Sequence, residues 1–285
     1  MLELHLVDRV LRFEGRPLVM GVVNVTPDSF SDGGAFLAPD AAVAHGLELV
    51  RQGADLLDIG GESSRPGAAP VSAEEELRRV LPVVEALARR TAVPLSIDTY
   101  KAEVARAALA AGAHIVNDIT ALRGDPEMAG VVRQYRAGLI LMHMQGTPAT
   151  MQLNPQYDDV VRDICRFLQE RLQAAADLGI AKEQVVLDPG IGFGKTLTHN
   201  LQILARLEEF QRLGRPVCLG VSRKGFLGQI TGRPVDRRLA GSLAAVCYAL
   251  AKRAVQMVRV HDVEETVDAV KVFQAVDEVG KETGA

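Results

Sequence analysis

Leu18-Val19-Met20-Gly21-Val22-Val23-Asn24-Val25-Thr26-Pro27-Asp28-Ser29-Phe30-Ser31-Asp32-Gly33-Gly34 is the stretch on which the reading of this chain turns. Its apolar first part reads as a strand buried on both faces. The strand passes directly into a loop, 24–34, with one amide, three hydroxyls, two carboxylates, one aromatic ring and two glycines. No packing requirement calls for that mixture, whereas loops on a rigid scaffold commonly carry binding groups. Alone, a turn rich in Ser, Asp and Gly would be read as a solvated connection. What separates the two readings is whether the unit recurs.

It recurs. Apolar strand-like runs lie at 18–25, 55–60, 94–99, 115–119, 138–144, 185–189, 216–222 and 255–261. Helical patterns separate them at 39–52, 73–90, 101–111, 126–135, 157–178, 199–213 and 237–253, and a last one follows at 263–279. Strands alternating with helices imply parallel βαβ units. Eight such units imply an α/β fold of the (β/α)8 TIM-barrel type, with a doubly wound open sheet as the alternative. Ahead of them Leu2, Leu4 and Leu6 alternate with Glu3 and His5, and a second short strand follows through Phe13-Glu14-Gly15-Arg16. Residues 1–17 therefore read as an appended N-terminal β-hairpin. No low-complexity segment or linker divides the chain, so 1–285 reads as one domain.

Composition narrows the possible functions. The chain has 285 residues, 48% hydrophobic and 24% charged, with no Trp and 4% aromatics, so Leu, Val, Ile and Ala must fill the core. A net charge of −4 argues against a nucleic-acid surface. Cys165, Cys218 and Cys247 form no CxxC and are odd in number, which reads as reduced core thiols in a cytoplasmic protein. No signal peptide is evident, and no apolar run reaches the roughly 18 residues of a membrane span.

Active sites of such barrels lie at the C-terminal ends of the strands, and every predicted strand ends in polar residues. The ends are Asn24; Asp58 to Gly67; Asp98-Thr99; Asn117-Asp118; Met142 to Gly146; Asp188 to Lys195; Ser222 to Gly225; and Arg259 to Asp262. An Asp at a strand end is often only the N-cap of the next helix, which could account for Asp98 or Asp118 singly. Arg259 and His261, two apart on a strand, face the same way. Two inward cations require an anion, either a barrel carboxylate or a ligand phosphate. A ligand is favoured because Lys224 and Arg65 lie on the same rim. Gly190 to Thr196 is not a P-loop, because the first glycine of that motif would fall on Pro189. No HExxH, zinc-spaced Cys/His set or GxSxG elbow is present.

Six segments, NVTPDSFSDGG (24–34), GGESSRPG (60–67), SIDTYK (96–101), DPGIGFGK (188–195), SRKGF (222–226) and RVHDV (259–263), occur in that order. Together they resemble the dihydropteroate synthase family of folate biosynthesis, and the likeness covers nearly all of the chain after the hairpin. The resemblance implies an enzyme that joins 4-aminobenzoate to 6-hydroxymethyl-7,8-dihydropterin diphosphate, releasing diphosphate, with Mg²⁺ as cofactor and sulfonamides as competitors. It implies that Asp188, Asn117, Lys224 and Asp98 read the pterin edge, with Met142 and Phe193 on the ring. It implies Mg²⁺ on Asn24, and diphosphate on Arg259, His261 and Ser64. The loops after the first two strands would close over 4-aminobenzoate, with Phe30 and Pro66 in apolar contact, Ser222 near the carboxylate and Asp28 paired with Arg65. Two departures from the family pattern are Ser64, where threonine is common, and Ile191, where phenylalanine is commoner and whose change would loosen packing near the pterin.

Two other classes compete. A pterin-binding methyltransferase domain would share the barrel and the pterin edge but needs no diphosphate clamp. A non-catalytic pterin-binding paralogue would tolerate gaps in the polar set. The family is usually homodimeric, and the apolar helix around 239–250 is a candidate interface.

Overall fold

The structure is a computed structural model that describes residues 2–26, 37–65 and 67–283. Its first strands, β1 (Glu3–His5) and β2 (Val10–Arg12), pair antiparallel as an N-terminal hairpin, with the second strand lying before the stretch 13–16 where it was expected. Eight strands then pair in parallel: β3 (Leu18–Asn24), β4 (Leu56–Gly60), β5 (Leu95–Asp98), β6 (Ile115–Asp118), β7 (Gly138–Met142), β8 (Val185–Asp188), β9 (Cys218–Leu219) and β10 (Met257–Val260). Their spatial order runs β8-β7-β6-β5-β4-β3-β10-β9. A single parallel bridge, Leu187 to Val217, joins the two edges, with Leu187 N donating to Pro216 O at 2.9 Å. The alternative of an open doubly wound sheet is thereby excluded.

Helices cover the outside: α1 (Leu37–Arg51), α2 (Ala73–Arg90), α3 (Ala102–Ala110), α4 (Met128–Tyr135), α5 (Val160–Asp177), α6 (Leu197–Ala205), α7 (Gly225–Thr231), α8 (Leu239–Ala251) and α9 (Val263–Thr283). Local chemistry starts them. Ser72 caps α2 by accepting from Glu75 N, and Glu74, Glu75 and Glu76 fill its first turn, where the helix dipole favours negative charge. Asp159 caps α5 by accepting from Val161 N and Arg162 N.

Three further segments differ. The helix expected over 199–213 stops at Ala205, and Leu207–Leu213 continues as a 3₁₀ stretch. The strand expected over 216–222 shrinks to the two residues of β9. The segment after Lys224 is not a bare loop but the short helix α7, which its two glycines and Thr231 had hidden from propensity reasoning.

Side chains alternate along the strands, so every second residue enters the barrel. The lower interior holds Met20, Leu56, Ile115, Ile140, Val186, Cys218 and Met257, together with Leu4 and Leu6 from the hairpin. The hairpin therefore plugs the N-terminal mouth. Gly138 opens β7 because a Cβ there would lie 2.7 Å from Leu6 Cδ2. Higher up, the inward positions of most strands turn polar, with Asp58, Asp98, Asn117, Asp188 and Arg259 one step above the apolar layer and Asn24 two steps above Met20. A separate, larger core lies between strands and helices. Ile191 is buried there, 1% exposed, so its departure from the family pattern bears on this outer layer and not on the upper interior.

Candidate active site

At the top of the barrel one guanidinium organises three strands. Arg259, at an inward position of β10, donates through Nε to Asp58 Oδ2 on β4 at 2.6 Å. Its Nη2 donates to Asp98 Oδ2 on β5 at 2.8 Å. Asn117 on β6 donates through Nδ2 to the same Asp58 oxygen at 3.0 Å. Asp58 is completely buried. Of the two anions the sequence allowed, barrel carboxylates already meet Arg259, where a ligand had been favoured. Burial works against the Arg259 charge, but Asp58 and Asp98 outweigh it and hold the guanidinium protonated.

Asp98 is pushed up to about 7, chiefly by burial and by the nearby charges of Asp58 and Glu76, with Arg259 opposing. Asp188, at the end of β8, accepts from Gly190 N at 2.6 Å through Oδ1. Its pKa is raised by burial, against the pull of the Gly190 N–H and of Lys224, Arg259 and Lys195. Lys224, at the N-cap of α7, lies with Nζ 4.2 Å from the centre of the Phe193 ring. It is pushed down to about 8 by burial and by Arg259, while Asp188 and Asp98 oppose the shift. Lys224 and Arg259 each act electrostatically on both Asp98 and Asp188, so the carboxylates 98 and 188, the ammonium 224 and the guanidinium 259 share one mouth. Charges this near and this poorly solvated shift one another in this way.

The flat wall beside them is apolar. Met142, Phe193, Ile119, Met144 and Met151 form a buried cluster packed against Tyr100. The glycines of the β8 loop permit the close approach that builds it. At Gly190 (φ +68°) a Cβ would lie 1.9 Å from His143 O, and at Gly194 (φ +65°) 2.6 Å from Gln145 O.

His261 follows β10. Its Nδ1 lies 3.0 Å from Ser222 Oγ, and its backbone N donates to the same oxygen at 3.2 Å. Burial, with Arg259 and Arg223 nearby, pushes its pKa down to about 3. At neutral pH the imidazole is uncharged, so the expected pair of inward cations is one cation and one neutral ring. Ser222 has its hydroxyl on His261. Arg223, at φ +56°, donates through Nε to Asp262 Oδ2 at 3.1 Å and binds Oδ1 through Nη2. This pair ties the β9 loop to the end of β10 and fixes Lys224 and His261 on either side.

Asn24, half-buried, ends β3 beside Gly60. Ser64 lines a small cavity with Glu62, Glu76, Asp98 and Tyr100, while Arg65 is exposed on the loop beyond. Asp28, Phe30 and Pro66 lie outside the described residues. Among the described residues no group of three or more His, Cys, Asp or Glu side chains could hold a metal ion. That donor chemistry does not suit a resident, protein-caged ion. It does suit Mg²⁺ arriving with a diphosphate, because magnesium keeps several waters and takes phosphate oxygens with one or two protein ligands. The Asn24 amide oxygen can supply such a ligand.

Sequence reasoning gave no role to Asp58 or to the Arg223–Asp262 pair. Asp58 carried a signal: it shares inward parity with Gly60 and lies opposite Ser96 in register. A lone acid there needs a cation, and Arg259 is the inward one.

Comparison with known proteins finds relatives over nearly the whole chain. Residues 20–261 match the family model described as pterin binding enzyme. Dihydropteroate synthase of Escherichia coli K12 is 49% identical over 259 residues, covering 91% of each chain. The Xanthomonas albilineans dihydropteroate synthase structure with 4-aminobenzoic acid superposes with a TM-score of 0.91 at 53% identity, covering 96% of this chain and 98% of that one. The same enzyme in complex with 7,8-dihydropteroate gives a TM-score of 0.87 at 51% identity, with the same coverage.

Proposed function

The chain belongs to the dihydropteroate synthase family of pterin-binding enzymes, and from that premise we propose how its barrel mouth performs the condensation. The substrates are 6-hydroxymethyl-7,8-dihydropterin diphosphate and 4-aminobenzoate; the products are 7,8-dihydropteroate and diphosphate. Asp188 takes the N–H pair of the aminopyrimidinone edge through the capacity that Gly190 N leaves free. The oxygen of Asn117, whose amide nitrogen is committed to Asp58, accepts beside it. Lys224 donates to the ring carbonyl, Asp98 pairs with the remaining ring nitrogens, and Met142 and Phe193 cover the ring. A ring without these groups is rejected, because buried polar atoms would be left unpaired.

Arg259, the neutral His261 and the hydroxyl of Ser64 hold the diphosphate. Asn24 would hold a Mg²⁺ ion that arrives with it, and the ion would supply charge neutralisation to the leaving group. The C–O electrons depart with the diphosphate, and the ring delocalises the positive charge left on the methylene. The amine lone pair of 4-aminobenzoate then forms the C–N bond and the nitrogen sheds one proton. An arylamine is neutral at pH 7, so no strong base is required. Catalysis is positioning together with electrostatic stabilisation. Ser222 lies near the carboxylate of 4-aminobenzoate, the loops carrying Asp28, Phe30, Arg65 and Pro66 close over it, and sulfonamides compete there.

What supports this reading most directly is the convergence of Asp188, Lys224, Asp98 and Arg259 on one another. Purified protein given both substrates and Mg²⁺ should release diphosphate; no release beside an active control enzyme would remove the reading. We further propose a cytoplasmic homodimer. All three cysteines are unpaired, and among the described residues no helix is long and apolar enough to cross a membrane. Tyr248 on α8 and Val272, Val276 and Val279 on α9 are exposed at 46%, 66%, 69% and 57%, an apolar face suited to a second copy. Sedimentation giving a monomer at micromolar concentration would reject the dimer.

A further inference from the structure

We infer that Lys101 is a positioning residue for the arylamine-dependent step, setting the β4 loop that carries Ser64 and Arg65. The inference rests on the site assignment above. Lys101 lies three residues beyond Asp98 and touches none of the pterin-reading groups. Its Nζ is instead held between two carboxylates, Glu62 of the loop and Glu76 of α2. Glu76 is 1% exposed, and its Oε1 has no hydrogen-bond partner among the described residues. Tyr100 donates through its hydroxyl to Glu62 Oε1 at 2.9 Å, and Lys101 Nζ lies 4.7 Å from the centre of the Tyr100 ring.

The backbone beneath is anchored from the same helix. Arg79 donates through Nη1 to Gly61 O at 2.8 Å. A Cβ on Gly61 would lie 2.7 Å from Val80 Cγ1 and 3.1 Å from Glu76 Cγ, so the loop leaves β4 pressed against α2. Glu62 is the last side chain so held before Ser64. Without Lys101, Glu62 and Glu76 would face each other as like charges in a poorly solvated place, and their repulsion would push the loop away from α2. Glu62, Ser64, Glu76 and Asp98 line one small cavity, so the clamp abuts the strand end that carries Asp98. Lys101 hydrogen-bonds to Glu62 and Glu76 and not to the pterin-reading groups Asp98, Asn117, Asp188 and Lys224, of which Asp98 feels the clamp through the charge of Glu76.

The effect should therefore divide between the substrates. In Lys101→Met, KM for 4-aminobenzoate at saturating pterin diphosphate and Mg²⁺ should rise about tenfold or more, as displacement of a positioned group by about 1 Å can cost a hundredfold. Calorimetry should find the affinity for 6-hydroxymethylpterin, which lacks the diphosphate that Ser64 holds, within about twofold of the parent enzyme, less than 1 kcal/mol. Lys101→Arg, which still reaches both carboxylates, should restore most of the loss. Glu62→Gln removes the loop-side charge without stranding a buried acid, so it reports even if Lys101→Met does not fold, and its KM should move the same way. An equal loss of affinity for 4-aminobenzoate and for the phosphate-free pterin, or an unchanged KM in both Lys101→Met and Glu62→Gln, would overturn the inference. Parent enzyme that turns over beside such variants leaves the site assignment standing; parent enzyme that releases no diphosphate removes that assignment instead.

Discussion

Asp58→Asn tests the centre of the site, because one oxygen of Asp58 receives both Arg259 Nε at 2.6 Å and Asn117 Nδ2 at 3.0 Å. The amide keeps the volume of the acid but removes its charge, and Asp58 is fully buried, so no water replaces what is lost. The oxygen of the new amide can still accept one of the two bonds, and Arg259 keeps Asp98 at 2.8 Å. The net loss is one hydrogen bond to a charged group, about 1.5–3 kcal/mol. If Arg259 acts on the diphosphate, that loss lowers kcat/KM for the pterin diphosphate roughly tenfold to a hundredfold, at about 1.4 kcal/mol per decade. A coupled diphosphate-release assay gives kcat/KM, and circular dichroism with thermal unfolding shows whether the variant is folded. A folded Asp58→Asn enzyme with kcat/KM within about twofold of the parent, a difference below 1 kcal/mol, would refute the view that this carboxylate aims the guanidinium.

Asp188→Asn should weaken pterin binding in calorimetry by about tenfold or more, the scale of a lost charge-assisted bond, with little change in melting temperature. Arg259→Ala should raise KM for the pterin diphosphate far more than it weakens binding of 6-hydroxymethylpterin without phosphate, measured on the same preparation. Pterin affinity should be greatest between about pH 7 and 8: below 7 the Asp98 carboxylate gains a proton, and above 8 Lys224 loses its own. Titration to either side of that range should show both limbs, and Lys224→Met should abolish the alkaline one. Gly190→Ala should destabilise the fold by about 3 kcal/mol or more, since its Cβ would meet His143 O at 1.9 Å in a left-handed backbone; urea unfolding measures it.

How far the sequence reached depended on whether a feature was local. Strand parity is local, so the inward positions of Asp98, Asn117, Asp188 and Arg259 could be read from the residues two by two. Partner choice is not local. Nothing near Arg259 in the chain announces Asp58, which lies 201 positions away, and the charge state of His261 depends on burial by elements the chain reaches elsewhere. The shortness of β9 has a tertiary cause as well: Val217 is drawn into the bridge with Leu187, and the chain then turns toward Ser222 and the Arg223–Asp262 pair. Helix α7 escaped because Gly225, Gly228 and Thr231 are poor helix formers, and packing of Phe226 and Leu227 in the core compensates.

The hairpin floor bears on how the molecule is made. Arg215 donates through Nη2 to Glu3 O at 2.6 Å and through Nε to Val185 O at 3.0 Å, so Glu3 waits during synthesis for a partner made 212 positions later. Until then Leu4 and Leu6 have no finished ring to enter, and nascent half-barrels present greasy undersides to the cell. Such distant pairings form slowly and leave partly built chains prone to stick to one another, which makes the hours and helpers of biosynthesis, more than the chemistry at the opposite mouth, sensitive to changes at Arg215.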